Sequence, residues 1–187
     1  MANEENIPKT LDSTRKLNGE GRSAGVIRDY IAVARGCDLV VIRVVGQGTM
    51  LTAPALANFA DQQLKAGFRR LVFDLERCHG LDSTFLGVMV GLQTLLKCED
   101  GSVSAVNVPP ELATLMAMLG VDKFVRIRGT YDLGQLETTM LAEKNLPSDE
   151  QRRMVLNAHN ALIEIDKRNE ARFGPFLKNL SQALASG

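Results

Sequence analysis

Two adjacent hydroxyls, Ser83 and Thr84, follow Asp82 where an apolar run gives way to a helical period, and they are the first candidates for chemistry in this chain. Upstream, Arg70-Leu71-Val72-Phe73-Asp74-Leu75 has the length and residue types of a buried strand. Downstream, Leu86, Met89, Val90, Gln93 and Leu96 recur at helical spacing, which predicts a helix from Ser83 to about Lys97. Asp82 or Ser83 is then the natural N-cap, its side-chain oxygen accepting from an unpaired amide of the first turn. A serine in that place can serve the helix and nothing else. It can also carry a phosphate, because the free N–H groups and partial positive charge of a helix start favour an added anion.

Other residues offer less. Cys78-His79 pairs a thiol with an imidazole, but neighbours on a loop seldom face one another, and no orienting Asn or Asp accompanies them. His159, the only other histidine, stands among polar residues of the tail and is expected at the surface. Two histidines and scattered cysteines give no zinc spacing. Gly46-Gln47-Gly48 lacks the Lys-Ser/Thr of a phosphate-binding loop. Asp74 and Asp82 flank one loop and could hold Mg²⁺, or could simply end a strand and cap a helix. Arg69, Arg70 and Arg77 read as a solvated rim. No nucleophile–base pair, metal site or cofactor is expected, so the chain reads as a binding protein without catalysis of its own.

The elements that must position Ser83 follow from the pattern around it. Tyr30 to Ala34 and Leu39 to Val45 are β-rich runs separated by Arg35-Gly36-Cys37-Asp38, and they are expected to pair as an antiparallel hairpin. A helix through Leu56, Phe59, Ala60, Gln63 and Leu64 ends near Gly67. Strand Arg70 to Leu75, loop Glu76 to Leu81, the helix from Ser83, strand Val103 to Val106, helix Pro109 to Leu119 and strand Phe124 to Ile127 complete the alternation. Strands separated by helices imply crossovers, hence an α/β fold with a mixed sheet and packed helices.

From about Asp38 to Ile127 this order resembles the STAS domain of anti-sigma-factor antagonists, stressosome subunits and sulphate-transporter tails. The resemblance is carried by the strand Arg70 to Leu75, the segment Asp82-Ser83-Thr84-Phe85-Leu86-Gly87-Val88-Met89-Val90-Gly91-Leu92, the run Val106-Asn107-Val108-Pro109-Pro110-Glu111, Leu115, and the ending Leu119-Gly120-Val121-Asp122-Lys123-Phe124. In the antagonist branch, the serine after the aspartate is phosphorylated by an anti-sigma kinase. The resemblance therefore implies Ser83 as the phosphorylation site, with Thr84 secondary, and Asp82, Ser83, Thr84 and Phe85 as the partner-binding surface. It further implies partner switching, in which unmodified protein binds the kinase, phosphate on Ser83 breaks the docking and a phosphatase resets it. The family usually has glycine at the position of Phe85, whose ring is expected to be partly exposed and to join the docking surface. The alternative is a scaffold or a transporter- or stressosome-associated subunit that binds an ATPase or kinase without sigma-factor control.

Composition fits a soluble regulator. The 187 residues carry 22 basic and 22 acidic side chains, so no net field draws nucleic acid or anionic membrane. No apolar run approaches the roughly 20 residues needed to span a bilayer, and Met1 to Lys9 lacks a secretory apolar region, which predicts a cytoplasmic protein. Cys37, Cys78 and Cys98 suit reduced thiols. The expected division is a flexible arm over 1–25, a STAS domain over 26–128, a linker over 129–147 and a helical extension over 148–187. In the extension, Ser148 and Gln151 match a capping box, Val155, Ala158, Leu162 and Ile165 form an apolar stripe, and Gly174-Pro175 is expected to break the helix. That stripe must cover its own domain, a second copy in a homodimer, or a partner.

Overall fold

The computed structural model describes residues 29–132 and 137–185. The expected hairpin forms. Strands β1 (Tyr30–Arg35) and β2 (Leu39–Gly48) pair antiparallel, Tyr30 opposite Val45 and Arg35 opposite Val40. Helix α1 (Ala53–Lys65) follows, and Gly67 beyond its end takes the left-handed φ of 94° that favours glycine. Strands β3 (Arg70–Asp74) and β5 (Ser102–Val106) extend the sheet in parallel, joined through a short strand β4 (Cys78–Leu81) and helix α2 (Ser83–Lys97). Helix α3 (Pro110–Met118) leads to β6 (Arg126–Ile127), again parallel to its neighbour, and β7 (Thr139–Met140) returns to the far edge against β1. The order across the sheet is β6-β5-β3-β2-β1-β7, with β4 paired to the end of β2. The result is the mixed α/β sheet with helices that the alternation of elements predicts.

The strands alternate as half of a pleat should. Ile31, Val33, Val40, Ile42, Val44, Leu71, Phe73, Val103 and Ala105 belong to one connected core with Leu56 and Ala60 of α1 and Leu86, Met89 and Val90 of α2. Four expectations need correction. Residues 78–81 form strand β4 where a loop was expected, because their amides and carbonyls pair with Gly46 to Gly48. The last strand is shorter than Phe124 to Ile127, since Val121–Lys123 closes a 3₁₀ turn that carries the chain through Phe124.

The other two corrections concern the tail, which comprises helices α4 (Ser148–Ile165) and α5 (Arg168–Ala185). Pro147 precedes α4 and no side chain caps it; the amide of Gln151 reaches the carbonyl of Pro147, so the capping box does not form. The helix break lies at Asp166 and Lys167, and Pro175 sits inside α5. Pro175 is the eighth residue of α5, beyond the first turn, so it removes the ladder bond to the carbonyl of Ala171 while the helix continues past it. At the real break, the amide and guanidinium of Arg168 donate to Asp166, and this side-chain pairing holds the Asp166 carboxyl well below its usual range. Buried Asn169 donates to the carbonyls of Leu119 and Leu162, tying the corner to the body of the protein. The stripe Val155, Ala158 and Leu162 is buried within the same chain, Leu162 completely and within the main core. The apolar face offered for a homodimer is thus occupied in cis. The proposed arm over 1–25 lies outside the described residues.

Candidate functional site

The N-terminus of α2 is built around Asp82. Its backbone is extended, as an N-cap requires, and Oδ1 accepts from the amide of Phe85 at 2.7 Å. Oδ2 accepts from the amide of Met50 at 2.7 Å, and the amide of Asp82 itself donates to the carbonyl of Gly48. One carboxylate therefore both starts the helix and ties it to the turn after β2. Ser83 is the first residue of the helix, half-buried, and the expected start of α2 holds to the residue.

Thr84 and Phe85 do not share that exposure. Thr84 is buried, 4% exposed as a residue. Phe85 is fully buried, correcting the expectation of a ring at the surface. The ring turns inward and meets Phe73 edge-on, centroids 6.4 Å apart and planes at 82°. Gly48 makes the space: a Cβ there would stand 2.6 Å from Leu81 and 3.0 Å from the Phe85 ring. The aromatic on the helix and the glycine at the strand end are one packing unit.

The hydroxyl of Ser83 has a partner from the far end of the chain. Its Oγ lies 2.8 Å from Nε2 of His159 on α4, and Nδ1 of the same ring lies 2.8 Å from the carbonyl oxygen of Val155. A carbonyl can only accept, so Nδ1 carries the ring proton; in the neutral ring Nε2 then keeps its lone pair and the Ser83 hydroxyl donates to it. His159 is 5% exposed, contrary to the surface position expected. Phe173 and Phe176 of α5 close on the imidazole edge-on, with centroids at 4.7 and 5.5 Å. Phe176 remains 48% exposed, so a half-open aromatic stands against the histidine that bonds Ser83, supplied by the tail. Close approach of α4 to α2 depends on Gly87, where a Cβ would run into the backbone of Ala158. The signal for His159 was present: residues 155, 159 and 162 follow helical spacing on one face, which places the histidine within the apolar stripe.

The remaining candidates separate. Cys78 is buried with Sγ on the carbonyl of Gly80, and burial pushes its thiol upward, away from a thiolate nucleophile. His79 points to solvent from the opposite face of β4. Asp74 is fully buried, accepting from Nε of Arg43 at 2.7 Å, from Asn107 at 3.0 Å and from the amide of Glu76 at 3.2 Å. Both carboxylates proposed for Mg²⁺ are therefore taken up by protein donors, and no group of three or more metal-ligating side chains occurs among the described residues.

Residues 31–128, more than half of the chain, match the family model described as MlaB, STAS domain. The chain belongs to the STAS domain family. Among solved structures, the STAS fold seen here is similar to the Thermotoga maritima protein TM1081, a candidate anti-sigma factor antagonist. The crystal structure of that protein gives a TM-score of 0.50 at 17% identity, covering 54% of this chain and 86% of that one. Its NMR structure gives 0.50 at 16% identity, covering 64% and 91%. An anti-sigma factor antagonist from Mycobacterium paratuberculosis scores 0.49 at 24% identity, covering 57% and 88%. At 16% and 17% identity the likeness to TM1081 is one of fold. No helix among the described residues is long and apolar enough to cross a membrane.

Proposed function

We propose that this STAS protein is an anti-sigma-factor antagonist acting by phosphorylation-controlled partner switching. Unmodified protein docks the start of α2 on an anti-sigma serine kinase in the cytoplasm, phosphate on Ser83 ends the docking, and a phosphatase restores it. The observation that carries this reading is the position of Ser83: a half-buried hydroxyl on the first residue of α2, directly after the Asp82 N-cap, in a STAS fold. About −1.5 to −2 charges introduced there must be matched by new cationic contacts in the interface or the complex separates. Asp82 and Ser83 supply the polar part of the docking surface, while Thr84 and Phe85 support it from below. The proposed division keeps the arm over 1–25, the domain over 26–128, the linker over 129–147 and the extension over 148–187.

The test is phosphorylation by the anti-sigma kinase that co-purifies with the protein. Phosphopeptide mapping should place the phosphate on Ser83, and S83A should take up none while still binding the kinase. Phosphate found wholly at other residues, with Ser83 unmodified, would overturn the reading.

A further inference from the structure

We propose that His159 is the general base for phosphoryl transfer to Ser83, supplied in cis by the C-terminal helical hairpin. The proposal rests on Ser83 being the phosphoacceptor. Three features make the pair a reactive dyad rather than a surface contact. Oγ and Nε2 lie 2.8 Å apart, within hydrogen-bond reach. The opposite ring nitrogen is held by the Val155 carbonyl at 2.8 Å, which selects the tautomer in which Nε2 is free to accept. The ring is held in place by Phe173 and Phe176 while Ser83 keeps part of its surface open to an incoming group.

The hairpin stays docked during this chemistry. Leu162 is fully buried in the main core, the Ala158 backbone sits against Gly87, and Asn169 fastens the corner, so one hydrogen bond at Ser83 does not decide whether α4 is attached. In the transfer, Oγ attacks the γ-phosphorus of a nucleoside triphosphate presented by the kinase. The Oγ–P bond forms, the bond from phosphorus to the bridging oxygen breaks, and the nucleoside diphosphate leaves with that electron pair. The proton of Oγ passes to Nε2, leaving an imidazolium beside the new phosphate.

A fluorophosphonate reagent reads the dyad without any kinase. With diisopropyl fluorophosphate, the Oγ–P bond forms, the P–F bond breaks, fluoride leaves with its pair and Nε2 takes the proton. Peptide mass spectrometry should find the adduct on Ser83, forming about 10²-fold or more faster in the full-length wild-type protein than in H159Q, the low end of what a positioned base supplies. A solvent deuterium isotope effect on labelling should be present in the wild type and lost in H159Q. Equal rates in a folded H159Q, or no adduct in the wild type, would overturn the proposal. If H159Q fails to fold, nitrogen NMR of the imidazole decides: a bare Nε2 that shifts in S83A supports the base, and a protonated Nε2 overturns it. Labelling at Ser83 without phosphorylation by an anti-sigma kinase would keep the base and defeat the switch. Kinase phosphorylation of Ser83 at a rate unchanged by H159Q would do the reverse.

Discussion

At the scale of single residues, the ring left half-exposed is Phe176 of the tail, not the Phe85 that the sequence suggests. Phe85 lies two residues from Ser83, yet its side chain fills the space over Gly48 and touches Phe73. Phe176, ninety residues away in the tail, is the ring left half open beside His159. Phe85→Ala should therefore lower stability by roughly 3–5 kcal/mol, as for other fully buried aromatics, with a correspondingly large fall in melting temperature. Phe176→Ala should leave melting nearly unchanged and, on the proposed function, weaken binding to an anti-sigma kinase, because a half-exposed aromatic packed on His159 is a natural interface anchor. Thermal melting and a binding titration of both variants check the pair. A stable Phe85→Ala, or a Phe176→Ala that binds like the wild type, would contradict the assignment.

At the scale of elements, the contact between α2 and α4 sets the geometry of the site. Within a solvent-facing helix, replacing glycine by alanine gains about 1 kcal/mol from backbone entropy. Gly87 faces the Ala158 backbone, which cannot move aside without displacing α4. The clash should win, so Gly87→Ala is expected to lose roughly 1–3 kcal/mol, in the range of overpacked cores. It should also lengthen the Ser83–His159 hydrogen bond, seen as a change in the imidazole resonances. A melting temperature above that of the wild type would show that the helices are not in close contact at this point.

For the whole molecule, the tail is part of the folded core. Leu162 belongs to the main core, and Val155 and Ala158 are buried with it. Loss of a buried leucine side chain alone costs roughly 2–5 kcal/mol, against about 1 kcal/mol for a typical hydrogen bond such as that between Ser83 and His159. Truncation after Pro147 should consequently lower the melting temperature and uncover an apolar face on α2, detected by self-association in light scattering. A truncated chain with unchanged melting and a monomeric mass would show that α4 contributes little to the core.

The limits of reading this chain follow from the same physics. The hairpin of β1 and β2, the alternating parallel strands and the start of α2 at Ser83 were all legible, because each depends on local periodicity and on caps within three or four residues. The Asp82 cap is of this kind: donor and acceptor are neighbours in sequence. Where β4 forms was decided by pairing with Gly46 to Gly48, and no local pattern in 78–81 announces that partner. The place of the helix break was decided at Asp166 and Asn169, whose contacts with Arg168, Leu162 and Leu119 start α5 at Arg168. The burial of Phe85 needed Gly48, and the partnership of Ser83 with His159 needed α4 to fold back across 76 positions of chain. Sequence by itself determined most of the elements and the helix start at Asp82 and Ser83, because those rest on short-range backbone preferences. Only the tertiary structure decided what Ser83 touches, because side chains distant in the chain meet through the packing of α2 against α4.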